Sequence, residues 1–226
     1  MSLNSHQRHA KLLEALRCLP PVMHRRLAHL KEQARRDRGR SDLVWYLLLS
    51  SAATLGNADG FDRLFSDRKL ADSVCYAALA GLKPAARKKR LLETLKKAGV
   101  RYSRRKSAQL AANLQQIEDQ GGVELESKHA LALNGREPKR NYFLQFAGIG
   151  PKYANNVWMD IYDPDFRDCV AVDERLKKVT RELGLVETTD QQAIFSKLAR
   201  EAKLEMWELD RLLFWFTGYF IAAMRW

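Results

Sequence analysis

Two residues of this 226-residue chain have types and surroundings that could do covalent chemistry together. Lys152 follows the turn Gly148-Ile149-Gly150-Pro151, and Asp173 stands 21 positions later, after the apolar Val170-Ala171-Val172. A primary amine that has lost its proton is a nucleophile and can form a Schiff base. A carboxylate can stabilise positive charge that develops on a neighbouring group in a transition state. Desolvation and a helix N-terminus favour the neutral amine, whereas an ionised Asp173 opposes it. Each residue also has a plain structural use, Asp173 as the cap of a helix beginning at Glu174 and Lys152 as a solvated first-turn residue.

Other chemistries lack their residues. Cys18, Cys75 and Cys169 are scattered, with no CxxC. This argues against a structural zinc site or a four-cysteine iron–sulfur cluster and fits a reducing, intracellular compartment. A dinucleotide fingerprint would need glycine at Tyr153 and a preceding strand, and no GxxxxGK[ST] occurs. The expectation is an activity without metal or organic cofactor.

The elements that must position Lys152 and Asp173 are helices. Before the glycines, Phe143, Leu144 and Phe146 suit the end of an apolar helix; after them, Tyr153, Ala154, Val157, Trp158 and Ile161 continue helical spacing. Gly148-Ile149-Gly150 is therefore a tight hairpin between two helices, over 141–162. The glycines leave room for an approaching group, Pro151 presets the first helical turn, and N–H groups there can bind a phosphate. Further helices are predicted near 43–55, 61–66, 69–79, 84–98, 103–120, 138–146, 152–162, 174–183, 190–202 and 206–224, with Leu12, Leu13 and Leu16 on one face near the start. No pair of segments alternates with period two long enough to make a sheet, so the chain reads as all-α. The apolar runs LVWYLLLSSAATL and LLFWFTGYFIAAM are too short to span a membrane and read as buried helices. The first residues lack the apolar core of a secretory signal.

Charge names the class of partner. The net charge is +12 and the pI about 9.8, which points to a polyanion, nucleic acid before an anionic membrane. Residues 83–106 alone hold eleven Lys or Arg against one Glu. Arg35, Arg36, Arg38 and Arg40 form a second cluster, read as a loop.

Together, LQFAGIGPKYANNV (144–157) and VAVDERLKKV (170–179) resemble the signature of the helix–hairpin–helix DNA glycosylases, the HhH-GPD superfamily. That signature is a hairpin LxGΦGxK, Φ being apolar, followed about twenty residues on by a ΦxVDxHΦxR-like segment. Ala147 replaces a frequent Pro and Arg175 a frequent His. The resemblance implies two helical subdomains flanking a DNA-binding cleft. Residues 1–60 would begin the terminal subdomain, 61–180 would form the central one, and 181–226 would pack back on the N-terminal part.

The resemblance further implies that Gly148, Ile149 and Gly150 bind the DNA backbone. Asp173 assists catalysis, and Lys152 marks a member that also cleaves the abasic strand. Without the four-cysteine cluster, the likeness leans to the 8-oxoguanine branch. The implied activity is excision of an oxidised base from double-stranded DNA, most simply 8-oxoguanine, by a monomer of the cytoplasm or nucleoid with no obligate protein partner. Glycosylases for oxidised pyrimidines and a non-catalytic helix–hairpin–helix protein are the alternatives. An extruded base needs apolar walls. In MWELDRLLFWFTGYF (206–220), Asp210 and Phe214 share a face as polar base reader and stacking aromatic, with Trp215 as the substitute. Asn155 or Asn156 would line the opposite wall. Asn57 resembles a polar wedge for the duplex, and equally a helix-ending Asn.

One prediction needs only the charge. Binding to duplex DNA should weaken steeply with salt, log K falling by about 0.9 per neutralised phosphate per tenfold rise in salt. A titration at several salt concentrations checks it, and a flat response would remove the basic segment as a contact surface.

Overall fold

The computed structural model describes residues 3–54, 59–185 and 190–225. It is 76% helical, and no strand occurs among the described residues. The chain folds into two compact units, a terminal one, Met1–Arg36 with Trp158–Trp226, and a central one, Asp37–Val157. The boundaries anticipated at 60 and 180 lie elsewhere. The helix from Leu43 packs within the central unit, and the one from Glu174 within the terminal unit.

The central unit is built on α3 (Leu43–Thr54), which is apolar almost all round; every residue from Leu43 to Ala53 is buried except Tyr46 and Ala52. A helix without a polar face must be enclosed. α4 (Asp59–Ser66), α8 (Ser103–Asp119) and α9 (Val123–Ala132) pack around it. α5 (Arg68–Val74) and α6 (Tyr76–Leu79) replace the single helix expected over 69–79, the chain breaking at the extended Cys75. α7 (Pro84–Lys97) starts on its proline as predicted and packs along α8. Arg87, on the inner side of α7, is buried and gives Glu118 two hydrogen bonds of 2.7 and 2.8 Å. α9 was not anticipated, because its buried residues are Val123, Glu126, Ser127 and Ala130, with no apolar stripe to betray it. α10 (Arg136–Leu144) and the first turns of α11 (Pro151–Asp160) complete the unit.

In the terminal unit, α1 (Ser5–Arg17) lays Leu12 and Leu16 against α13 (Gln191–Ala202) and α15 (Thr217–Ala223). α2 (Pro21–Arg38) carries Arg35, Arg36 and Arg38, so that cluster is helical; only Arg40 lies beyond it. Its buried residues, Met23, Leu27 and Ala34, are too sparse for the periodicity to reveal a helix. Lys31 of α2 donates to Glu208 at 2.8 Å and lies 3.2 Å from Glu205. α12 (Glu174–Glu182) buries Leu176 and Val179 and packs on α14 (Met206–Trp215) and α15. Trp207 is buried and donates its indole N–H to the Met159 carbonyl at 2.7 Å.

The helix predicted over 206–224 is two helices. It breaks at Phe216, where the Thr217 hydroxyl donates to the carbonyls of Leu213 and Phe214. A hydroxyl that serves the preceding turn competes with helix continuation. Nor is this run wholly buried, since Trp215 and Tyr219 are exposed. Among the described residues no helix is long and apolar enough to cross a membrane.

Candidate active site

The predicted residues fall in both units, and each set stands on its own local geometry. In the central unit, α10 ends at Leu144 and the hairpin Gln145–Gly150 leads into α11. Phe143 and Phe146 are buried under it, which sets its base. Asn113 of α8 clamps it: its amide donates to the Ala147 carbonyl at 3.0 Å, and its side-chain oxygen accepts the Ala147 N–H at 2.8 Å. The two glycines then do different things. Gly148 has φ +89°, and a Cβ there would lie 2.9 Å from the Gln109 side chain. Gly150 has no left-handed backbone, and nothing within 4 Å would meet its Cβ. Gly148 turns the chain; Gly150 leaves open space beside the start of α11, where N–H groups have no intrahelical acceptor.

Lys152 is the second residue of α11 and is exposed. Asn156, one turn on and on the same face, is half-buried, and its side-chain oxygen is buried with no hydrogen-bond partner among the described residues. Asn155 is half-buried. A shallow depression of about 20 Å³, room for one water, opens beside the hairpin between Gly148, Ile149, Tyr153, Gln109, Asn113 and Lys106. Lys106 is 2% exposed. Burial, and then the neighbouring Arg105 charge, pull its ammonium pKa down to about 8.

Sequence reasoning passed over Tyr102. It stands between α7 and α8 with φ 56° and 65% of its surface exposed, its ring 5.2 Å from the Arg105 guanidinium. Lys96, Lys97, Arg101 and Arg104 around it in sequence are exposed as well. The available signal was a tyrosine embedded in the most basic run of the chain. Asn57 lies outside the described residues.

In the terminal unit, Asp173 caps α12. One oxygen, Oδ1, accepts the N–H groups of Arg175 at 2.9 Å and Leu176 at 3.0 Å. Among the described residues nothing donates to Oδ2. The cap reading and the chemical reading are thus compatible: one oxygen orients the group and the other stays available.

Asp210 lies behind this segment on α14, 2% exposed, and accepts the Ala171 N–H at 2.8 Å. Burial pushes its pKa up to about 6; Arg211 and the Ala171 N–H oppose the rise, while Asp173 and Asp160 add to it. Phe214, one turn on, is half-buried, with the Arg175 guanidinium 3.7 Å over its ring and bonded to its carbonyl at 3.2 Å. Trp215 is 48% exposed, meets Phe214 edge to face at 5.5 Å and carries Arg26 at 4.0 Å over its ring. The structure therefore gathers Asp173, Asp210, Phe214 and Trp215 in one unit, and Gly148, Ile149, Gly150, Lys152 and Asn156 in the other.

No protein family and no curated protein matches the sequence. Solved structures do match. The crystal structure of Methanocaldococcus jannaschii 8-oxoguanine DNA glycosylase superposes with a TM-score of 0.69 at 18% identity, over 95% of this chain and 96% of that one. The glycosylase/lyase of the same organism, in complex with a 15mer DNA containing 8-oxoguanine, gives 0.67 at 16%, over 93% and 97%. The 8-oxoguanine DNA glycosylase of Thermotoga maritima gives 0.66 at 15%, over 92% and 96%. The chain has the all-α fold of these structures.

The clamp makes a prediction. Asn113→Ala strips the Ala147 N–H and carbonyl of their partners and should cost about 1–3 kcal/mol. Urea unfolding of the variant against wild type reads this as a lower midpoint at unchanged slope.

Proposed function

We propose that this protein is a base-excision DNA glycosylase with abasic-site lyase activity, acting on an oxidised base in duplex DNA, in the first place 8-oxoguanine. What supports the reading is the local geometry of each group. Lys152 is the second residue of α11, beside a glycine with empty space around it, and Asp173 has one oxygen tied to the backbone while, among the described residues, nothing donates to the other. Structures of the same fold that act on 8-oxoguanine, one of them with DNA bound, support the substrate class.

On this reading a phosphate sits on the hairpin N–H groups and the DNA backbone passes over Gly150. The exposed Tyr102, backed by Arg105, offers a ring on which a base can stack. Trp215 and Phe214 supply the apolar wall for the extruded base. As the N-glycosidic bond breaks, its electron pair leaves with the base, which takes up a proton. The sugar becomes cationic at C1′, and the Asp173 carboxylate stabilises it. The neutral Lys152 amine forms the new bond to C1′. The sugar ring then opens to a Schiff base, a proton leaves C2′, and the 3′ phosphate departs by β-elimination. In the DNA-free protein the exposed Lys152 amine is hydrated, so bound DNA must displace that water before the amine can attack.

Borohydride reduction traps a Schiff base as a stable amine and so tests the assignment. Wild type should be captured covalently on a duplex with 8-oxoguanine. Lys152→Gln should bind the same duplex without being captured. Asp173→Asn should bind it and excise at least about a hundredfold more slowly, the scale seen when a transition-state charge loses its partner. Wild type that binds but neither excises the base nor is captured would favour a non-catalytic DNA-binding protein. Capture on thymine glycol alone would move the substrate to oxidised pyrimidines.

A further inference from the structure

The step proposed above uses one carboxylate, yet a second is buried directly behind it. Asp210 reaches across 39 residues of sequence to hold the Ala171 N–H, two residues before Asp173. Arg175, two residues after Asp173, is tied to α14 through the Phe214 carbonyl and lies over the Phe214 ring. The segment 171–175 is thereby stitched to α14 on both sides of Asp173. An amide at position 210 would accept the same N–H without a buried charge, so the hydrogen bond alone does not account for a carboxyl group there.

The cation beside Asp210 is shared. Arg211 Nε stands 3.9 Å from Asp210 Oδ2, and another nitrogen of the same guanidinium bonds Asp160 at 3.0 Å. Burial acts most strongly on Asp210, then the Arg211 charge, then the weaker charges of Asp173 at the cap of α12 and Asp160 at the end of α11; Arg175 of α12 lies over Phe214, one turn along α14. Where Asp210 is ionised, its charge adds to the negative potential of Asp173 and favours a cation beside that residue.

We propose that Asp210 is a positioning residue and second carboxylate of the site, holding the Asp173 segment through Ala171 and adding negative potential where the sugar becomes cationic. This inference rests on the glycosylase reading. It gives Asp210 a role different from that of a polar base reader, since its Oδ1 is already engaged and it lies behind the segment.

Protonation separates the two parts of the role. The raised pKa of about 6 makes Asp210 ionised at pH 8 and mostly neutral at pH 5. Asp210→Asn keeps an acceptor for Ala171 and removes the charge, whereas Asp210→Ala removes both. Single-turnover rates of 8-oxoguanine excision and of nicking at a preformed abasic site, measured from pH 5 to pH 8, test this. Both rates should be about tenfold lower in Asp210→Asn than in wild type at pH 8, a difference of about 1.4 kcal/mol. The ratio should close toward one at pH 5, where wild type has lost the same charge. Asp210→Ala should be slower than wild type at both ends.

The fold provides a control. A carboxyl group whose folded pKa is raised costs stability only where it is ionised, so wild type bears this cost as pH rises past about 4 to 6 and Asp210→Asn does not. The Asn variant should therefore melt no lower than wild type at pH 8. A ratio constant from pH 5 to pH 8, or an Asn variant as fast as wild type at pH 8, overturns the inference while leaving the glycosylase reading intact. A wild type that neither excises nor nicks at any pH overturns both.

Discussion

The hairpin depends on a backbone constraint, the left-handed turn at Gly148 held by Asn113 and backed by Gln109. A chain leaving α10 has no reason to reverse at that point unless a residue adopts positive φ, and a side chain there would meet α8. Once the turn is fixed, Pro151 must start α11, and Lys152 occupies its first turn by position alone. The place of Lys152 at the start of α11 therefore depends on hydrogen bonds made by α8, a helix that takes no part in the proposed chemistry.

Asp173 is set in a comparable way by backbone geometry. Helix capping consumes one of its oxygens and fixes the carboxylate plane, and the Asp210–Ala171 hydrogen bond fixes the extended residues that lead up to it. In each unit, groups needed for local structure also orient the candidate residues beside them. The electrostatics differ between them. The central unit is strongly basic, whereas the terminal unit sets Asp160, Asp173 and Asp210 near one another, with Arg211 paired to Asp160 and Asp210.

Helix content was legible because α7, α8, α11 and α12 carry apolar residues at helical spacing and end at proline, glycine or capping aspartate. α9 was not, since its buried face is built from Val123, Glu126, Ser127 and Ala130, with no apolar stripe. The break at Phe216 was hidden for the opposite reason: apolar and aromatic residues continue on both sides of Thr217-Gly218, where the Thr217 hydroxyl bonds back to the preceding turn. Within the candidate site, the Gly148-Ile149-Gly150 turn and the aspartate cap could be read from residue type and spacing. The clamp by Asn113, the burial of Asp210 and the exposure of Tyr102 could not, because each depends on which residues distant in sequence come to lie beside them.

The central claim is that one deoxyribose carbon is served by both Lys152 and Asp173. A crystal structure of Lys152→Gln bound to a duplex with 8-oxoguanine measures this directly. The account predicts an extruded nucleotide whose C1′ lies about 3–4 Å from the end of residue 152, near-attack distance, with an Asp173 oxygen facing the same sugar. A nucleotide left stacked in the duplex, or a C1′ beyond the reach of either residue, would contradict it.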